Sequence, residues 1–341
     1  MTDKKLYNIF GKEQLKERLE NENFSRITCS FYNYHNIEDL DSTRDNLYAD
    51  LDLLNILGRI YIANEGINAQ FNIPDYNWEA FLSLSSKYPF LKNITIKKAV
   101  QEGISFLKLK VLIKDEIVAW GISRQEYDIN KTGQHLNAQE FNDLIDEEDT
   151  LLIDMRNSYE SEVGRFENAI CPQSKRSKDL IKEVKKLINN RKNKKIAMYC
   201  TGGIRCEKAS FYMKSIGFNN LYQLDGGILK YLEDNSSENN KWNGECFVFD
   251  NRVSVNEELE PGSYELCRGC NNPISEEEKL LNGYEKDVSC SKCYKKSSES
   301  RKNNFRERSK QVELAKERDQ SYIYDSLNYN QYIKEYNLDK S

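Results

Sequence analysis

Ile196-Ala-Met-Tyr-Cys200-Thr-Gly-Gly-Ile-Arg205-Cys206-Glu-Lys-Ala-Ser210 is the stretch whose reading decides the fold. Its apolar run, Ile196 to Tyr199, has the form of a buried parallel strand, and the residues after the loop carry a helical period. Ala209, Tyr212, Met213 and Ile216 fall on one helical face, so the helix packs on the sheet with its N-terminus aimed at Cys200. Free backbone N–H groups and the positive end of the helix dipole then surround the sulfur, and a cysteine so placed is stable as its thiolate, the nucleophilic form. A cysteine at a strand end is more often just a small buried side chain. Here Gly202 and Gly203 permit the backbone angles that turn amides inward, and Arg205 adds a fixed cation, so a reactive Cys200 is expected within the loop Thr201, Gly202, Gly203, Ile204 and Arg205. The four residues between Cys200 and Arg205 make a smaller cradle than that of the cysteine phosphatases, one suited to a persulfide sulfur rather than a phosphoryl group.

Working outward, βα units flank the stretch. Thr150 to Asp154 reads as a strand, Ala169 to Cys171 as a short one, Leu180–Ile188 as an amphipathic helix and Leu221 to Leu224 as a further strand. This pattern predicts a parallel sheet with helices on both faces, and ligands of such sheets bind beyond the carboxyl ends of the strands, where Cys200 lies. Asp154 and Arg156 close the preceding strand and are expected to support the same crevice. Cys206 falls on the first helical turn, where it either resolves an oxidised Cys200 or packs; packing is the expectation.

These residues resemble a rhodanese active-site loop. The surroundings agree: Leu151-Leu-Ile-Asp154-Met-Arg156, Glu160, Gly164, Phe166 and Leu224-Asp-Gly226-Gly227. Tyr199 to Ser210, with Gly244-Glu-Cys-Phe-Val-Phe-Asp250 downstream and Asn64-Glu-Gly-Ile-Asn68 upstream, is similar to the bacterial tRNA uridine hydroxylases of the rhodanese superfamily, over about Ile27 to Cys293. Arg165 and Asn168 depart from the histidine and glycine of many rhodaneses. The resemblance implies oxygen-dependent hydroxylation of the wobble uridine of tRNA at carbon 5, with molecular oxygen as co-substrate and the anticodon arm as partner. It makes Cys200 the essential thiolate, with the Thr201–Arg205 loop stabilising its anion or an adduct. The residues alone fit a sulfurtransferase carrying a persulfide on Cys200 equally well, and a module that only binds RNA is the third reading.

The rest of the chain bounds these readings. With 341 residues, 38% hydrophobic and 31% charged, it has room for two or three domains. No stretch approaches the roughly 18 apolar residues of a membrane helix, and the start, Met-Thr-Asp-Lys-Lys, lacks a signal-peptide apolar region, so a cytoplasmic protein is expected. Its nine cysteines then read as thiols, metal ligands or catalytic groups. His35 and His135 are its only histidines and too far apart in sequence to suggest an iron site. No Gly-x-Gly-x-x-Gly announces a flavin or nicotinamide.

Residues 1–122 read as a ferredoxin-like α+β domain: strands at Ile27 to Tyr34, Arg59 to Ala63, Asn68 to Ile73, Ile94 to Val100 and Phe106 to Ile113, with helices at Leu40 to Leu54 and Trp78 to Ser86. Lys97, Lys98, Lys108 and Lys110 are read as lining either a nucleic-acid face or a solvated one. A polar linker, 123–137, leads to the rhodanese-like domain, 138–235. From 236 to 341 follow a cysteine-rich segment and a basic tail. Cys267-x2-Cys270 and Cys290-x2-Cys293 have the spacing of a closed, structural zinc site. Cys29, Cys171 and Cys246 read as packing residues. Lys292, Lys295, Lys296, Arg301, Lys302, Arg306, Arg308 and Lys310 crowd a chain whose net charge is −5, a pattern read as either a phosphate contact or a solvated tail.

Overall fold

The computed structural model describes residues 12–98, 106–235, 239–249 and 252–317, and the chain divides into two compact units, Met1–Lys131 and Thr132–Ser341. In the first unit α1 (Lys12–Glu20) is followed by β1 (Arg26–Tyr34), α2 (Leu40–Leu53), β2 (Leu57–Ala63), β3 (Gly66–Pro74), α3 (Trp78–Ser83), β4 (Lys97–Lys98) and β5 (Leu109–Ile113). Alternation along the strands turns Cys29, Phe31, Ile60, Ile62 and Phe71 to one face, where Leu47 and Leu51 of α2 and Phe81 of α3 cover them. The sheet order is β4-β1-β3-β2-β5. Its first four strands pair antiparallel, as a ferredoxin-like sandwich requires, while β5 is an addition parallel to β2.

Three expectations for this part change. The strand foreseen from Ile94 shrinks to Lys97–Lys98, and its end at Val100 lies outside the described residues. The four lysines form no single patch. Lys97 and Lys98 are adjacent and so face opposite ways, and β4 and β5 lie at opposite edges, about 19 Å apart across three intervening strands. The Lys98 ammonium sits 4.3 Å from the centre of the Trp78 ring. Residues 123–137 are folded. Arg124–Glu126 is a 3-10 turn closed by a Ser123/Glu126 capping box, and the Arg124 guanidinium donates to Asn36 Oδ1 at 2.6 Å. Buried Glu65 accepts from the Ile117 N–H at 2.6 Å and from the Tyr127 hydroxyl, tying this segment back to the β2–β3 turn.

The second unit runs β6 (Gln134–Leu136), α4 (Ala138–Ile145), β7 (Thr150–Asp154), α5 (Ser158–Ser161), β8 (Gly164–Phe166), α6 (Ser177–Ile188), β9 (Lys195–Tyr199), α7 (Ile204–Ser215), β10 (Leu221–Leu224) and α8 (Gly227–Asp234). The order β6-β10-β9-β7 is parallel throughout. Ala197 and Tyr199 pack with Phe141 of α4 and Ile228 and Tyr231 of α8. Ile196 and Met198 point the other way, toward the side of α6 and α7, whose Leu180, Val184, Ala209 and Met213 are fully buried. Helices therefore cover both faces, as the βα pattern predicts. The short strand at Ala169 to Cys171 is reduced to one bridge, Ile153 to Ile170: Asn168 sits at φ 59° before it, and Pro172, which has no N–H, follows.

Beyond α8 come β11 (Trp242–Gly244), β12 (Cys246–Phe247), β13 (Ser254–Val255), β14 (Glu265–Leu266), β15 (Pro273–Ile274), α9 (Glu276–Lys279) and α10 (Glu299–Glu317). This stretch is not detached: β11 pairs antiparallel with β8, placing Trp242 opposite Phe166. The basic crowd is partly neutralised. Lys292 pairs with Glu162 at 2.8 Å and Glu278 at 2.9 Å, Lys302 with Glu299 at 2.8 Å, and Arg306 grips Glu285 through two 2.6 Å bonds. The tail beyond Glu317 lies outside the described residues.

Candidate active site

β9 delivers Cys200 into the turn foreseen for it, with no exposed surface on the residue. Gly203, at φ 100°, caps α7 and turns its N–H onto the sulfur at 3.1 Å. A second helix grips the loop from behind: the N–H of Ile228 donates to the Cys200 carbonyl at 3.0 Å and that of Leu229 to the Thr201 carbonyl at 3.3 Å. Gly227 makes this approach possible. Its φ is 70°, and a Cβ there would stand 2.5 Å from the Cys200 carbonyl oxygen and 2.8 Å from the Gly202 nitrogen.

Three buried cysteines separate the effect of burial from that of the cradle. Burial pushes Cys29 and Cys246 up to about 12. Cys200 is just as buried, but the thiol of Cys206, the Arg205 charge and the backbone N–H groups of Cys206 and Arg205 outweigh desolvation and hold it well below the usual thiol range. Cys206 moves the opposite way, raised by burial and by the neighbouring Cys200 sulfur. A lowered pKa means that the Cys200 thiolate persists as the pH falls below the ordinary value of about 8.5, and that the stability it contributes, complete above that value, is lost as the pH drops through the folded one. Ultraviolet thiolate absorbance of wild type minus Cys200→Ala is therefore expected at neutral pH and below; a difference appearing only on the alkaline side of the ordinary value would refute the cradle.

Arg205 lies beside the sulfur and forms a fork with Glu160, Nη1 to Oε1 at 2.6 Å and Nη2 to Oε2 at 2.8 Å, with Glu160 fully buried. Nη2 also donates to the Thr201 hydroxyl at 3.2 Å. Glu160 is itself fixed by the Asn157 N–H at 3.0 Å, as the capping box of α5. The Arg205 carbon stands 5.9 Å from the centre of the Phe249 ring, and Phe249 stacks edge-on against Phe247. Gly202, Thr201 and Ile204 are the half-buried members of the loop.

Asp154 and Arg156 do not open into the crevice. They pair with each other, Nη2 to Oδ2 at 2.6 Å, both fully buried, while Arg156 also donates to the Gly164 carbonyl and lies 5.0 Å from the Trp242 ring centre. The pair braces β7 against β8 from behind. Glu160 and Gly227 hold the site, although sequence reasoning assigned neither a role in it. The available signals were Asn157-x-x-Glu160, a capping-box pattern, and the paired glycines Gly226-Gly227 before an apolar helix. His135 is bonded to Glu207, on the α7 turn beside Cys206, at 2.8 Å, which raises its pKa.

The sulfurs of Cys267, Cys270, Cys290 and Cys293 lie within 4.8 Å of one another. Their contacts of 3.6, 3.8 and 4.0 Å bracket the separation of about 3.8 Å set by a tetrahedron with metal–sulfur bonds near 2.3 Å. Asn272 Nδ2 donates to Cys270 at 3.0 Å and the Cys290 N–H to Cys293 at 3.3 Å, bonds that orient thiolate ligands. Four convergent sulfurs so supported fit a metal ion.

Against known proteins, residues 26–117 match the family described as UPF0176 acylphosphatase like domain and residues 137–234 the Rhodanese-like domain. A tRNA uridine(34) hydroxylase of Leptospira interrogans is 48% identical over 252 residues, 73% of this chain and 68% of that protein. The chain belongs to the tRNA uridine(34) hydroxylase family. Solved structures similar to part of it include a rhodanese-related protein of Thermoplasma volcanium, 24% identical over 30% of this chain and 92% of that one, with a TM-score of 0.25. The rhodanese-like domain of an Anabaena protein is 17% identical over 32% of this chain and 78% of that one, with a TM-score of 0.27. Among the described residues no helix is long and apolar enough to cross a membrane.

Proposed function

We propose that this chain hydroxylates carbon 5 of uridine 34 in tRNA, giving 5-hydroxyuridine, with molecular oxygen as co-substrate and Cys200 as the reacting thiolate. The observation that carries the reading is its kinship to a tRNA uridine(34) hydroxylase at 48% identity, joined to a buried cysteine whose surroundings hold its pKa well below the usual thiol range. A base in an anticodon loop is unpaired, so it enters a pocket without the cost of opening a duplex. Addition of the thiolate at carbon 6 places electron density on carbon 5, where oxygen reacts. The Gly203 N–H and the Arg205 fork hold the sulfur when it is an anion, and Thr201 keeps the guanidinium in place. Purified protein, tRNA and air are expected to yield 5-hydroxyuridine by nucleoside mass spectrometry. A thiolated nucleoside in its place would make Cys200 a sulfur carrier.

The two elements outside the rhodanese-like domain, 1–122 and 236–341, hold the anticodon arm in this reading, and the cytoplasm is the compartment that suits a tRNA-modifying enzyme whose thiols must stay reduced. Cys267, Cys270, Cys290 and Cys293 hold one zinc ion in a closed, structural set with no open position for chemistry. Metal analysis should find about one zinc per chain, and a strong chelator should make the segment from Glu265 onward protease-sensitive while the Cys200 thiolate absorbance persists. Zinc-free protein with unchanged protease resistance would remove the metal from the account.

A further inference from the structure

Hydroxylation by molecular oxygen needs two electrons beyond those taken from the carbon–hydrogen bond. We infer that Cys206 is the second thiol of the reaction, so that the Cys200–Cys206 dithiol supplies those electrons and ends the turnover as a disulfide; this rests on the hydroxylase reading above. Both sulfurs are fully buried at the junction of β9, the loop and α7, and a side-chain hydrogen bond joins them. The pair is also asymmetric in the way exchange requires, with the Cys200 pKa lowered by its neighbours and that of Cys206 raised by burial. No comparable pair serves the site. Cys246 is buried on its own, with its thiol in contact with the Phe247 carbonyl, and the other close sulfurs among the described residues are the four of the metal cluster.

The steps balance. The Cys200 thiolate adds to carbon 6, oxygen adds to the carbon 5 anion, and a proton completes a hydroperoxide. Loss of the carbon 5 proton expels Cys200 and restores the ring. The freed thiolate attacks the outer peroxide oxygen, breaking the O–O bond. This leaves 5-hydroxyuridine, once its oxygen is protonated, and a sulfenic acid on Cys200. The Cys206 thiol condenses with that sulfenic acid, releasing water and forming the disulfide. In sum, one C–H, one O₂ and two thiols give one C–OH, one water and one disulfide. Oxygen takes four electrons, two from the carbon and two from the sulfurs.

The test uses the full chain, reduced and then freed of external thiol, mixed with unmodified tRNA in aerated buffer. About one 5-hydroxyuridine per chain is expected, after which the reaction stops; peptide mapping then finds a Cys200–Cys206 disulfide in equal amount, and dithiothreitol restarts turnover. Cys206→Ser is expected to make the first 5-hydroxyuridine and then stop with a dimedone-reactive sulfenic acid on Cys200 and no disulfide, turning over again when dithiothreitol is added, a rescue that a merely misfolded variant would not show. Sustained turnover of the wild type with both thiols still reduced would overturn the inference and leave the hydroxylase reading standing, as would a wild type that stops with a dimedone-reactive Cys200 and a free Cys206 thiol. Absence of 5-hydroxyuridine from the wild type even with dithiothreitol and oxygen would overturn both.

Discussion

Cys200→Ala is expected to leave uridine 34 unmodified, with a fall in rate of roughly a thousandfold or more, the scale at which removal of a nucleophile is felt. The expectation follows from geometry. The Gly203 N–H, the Arg205 charge and the first turn of α7 converge on one sulfur, and alanine leaves them with nothing to stabilise. The fold should survive, because the loop carbonyls remain held by Ile228 and Leu229. Nucleoside mass spectrometry of tRNA from cells carrying only the variant, with circular dichroism of the purified protein, separates loss of chemistry from loss of structure. Normal 5-hydroxyuridine in that strain would contradict the role given to Cys200.

The second large effect belongs to a residue that touches no substrate in this account. Glu160→Ala strips both oxygens from the Arg205 fork and leaves a buried guanidinium without its counter-charge. Breaking a buried pair in this way costs about 3–5 kcal/mol, which for a unit of this size lowers the melting temperature by roughly 10 °C. Activity should fall with it, since Arg205 then no longer keeps its place beside Thr201. Glu160→Asp, which retains the charge on a shorter arm, is expected to recover part of the stability. Calorimetry showing a melting temperature equal to wild type for Glu160→Ala would mean that the fork contributes nothing.

How far the sequence revealed this arrangement depends on the range of the contact. The strand, turn and helix around Cys200 were legible because each signal is local: an apolar run to Tyr199, two glycines where the chain must turn, and a helical stripe after Arg205. The parallel sheet followed from repeated βα units, and the ferredoxin-like order of the first unit from the sequence of its strands. What stayed hidden comes from residues distant in sequence. Glu160 meets Arg205 across 45 positions, and Gly227 earns its conformation only because Cys200 lies behind it. Asp154 and Arg156 were placed at the right strand end but turned toward the crevice in expectation, whereas in the structure each is fully buried and paired with the other. The lysines of β4 and β5 looked like one patch because sequence spacing carries no record of strand order. Residues 123–137 looked like a linker because capping boxes and buried acceptors are made from the same polar residues as solvated loops.

The central claim is that the buried Cys200 thiolate serves oxygenation of uridine 34. Its most direct test is to incubate the purified full chain with unmodified tRNA under ¹⁸O₂ and analyse the anticodon fragment by mass spectrometry. One ¹⁸O on the uracil ring of residue 34, absent with Cys200→Ala, is the predicted result. A uridine 34 that carries sulfur, or oxygen drawn from water, would contradict it.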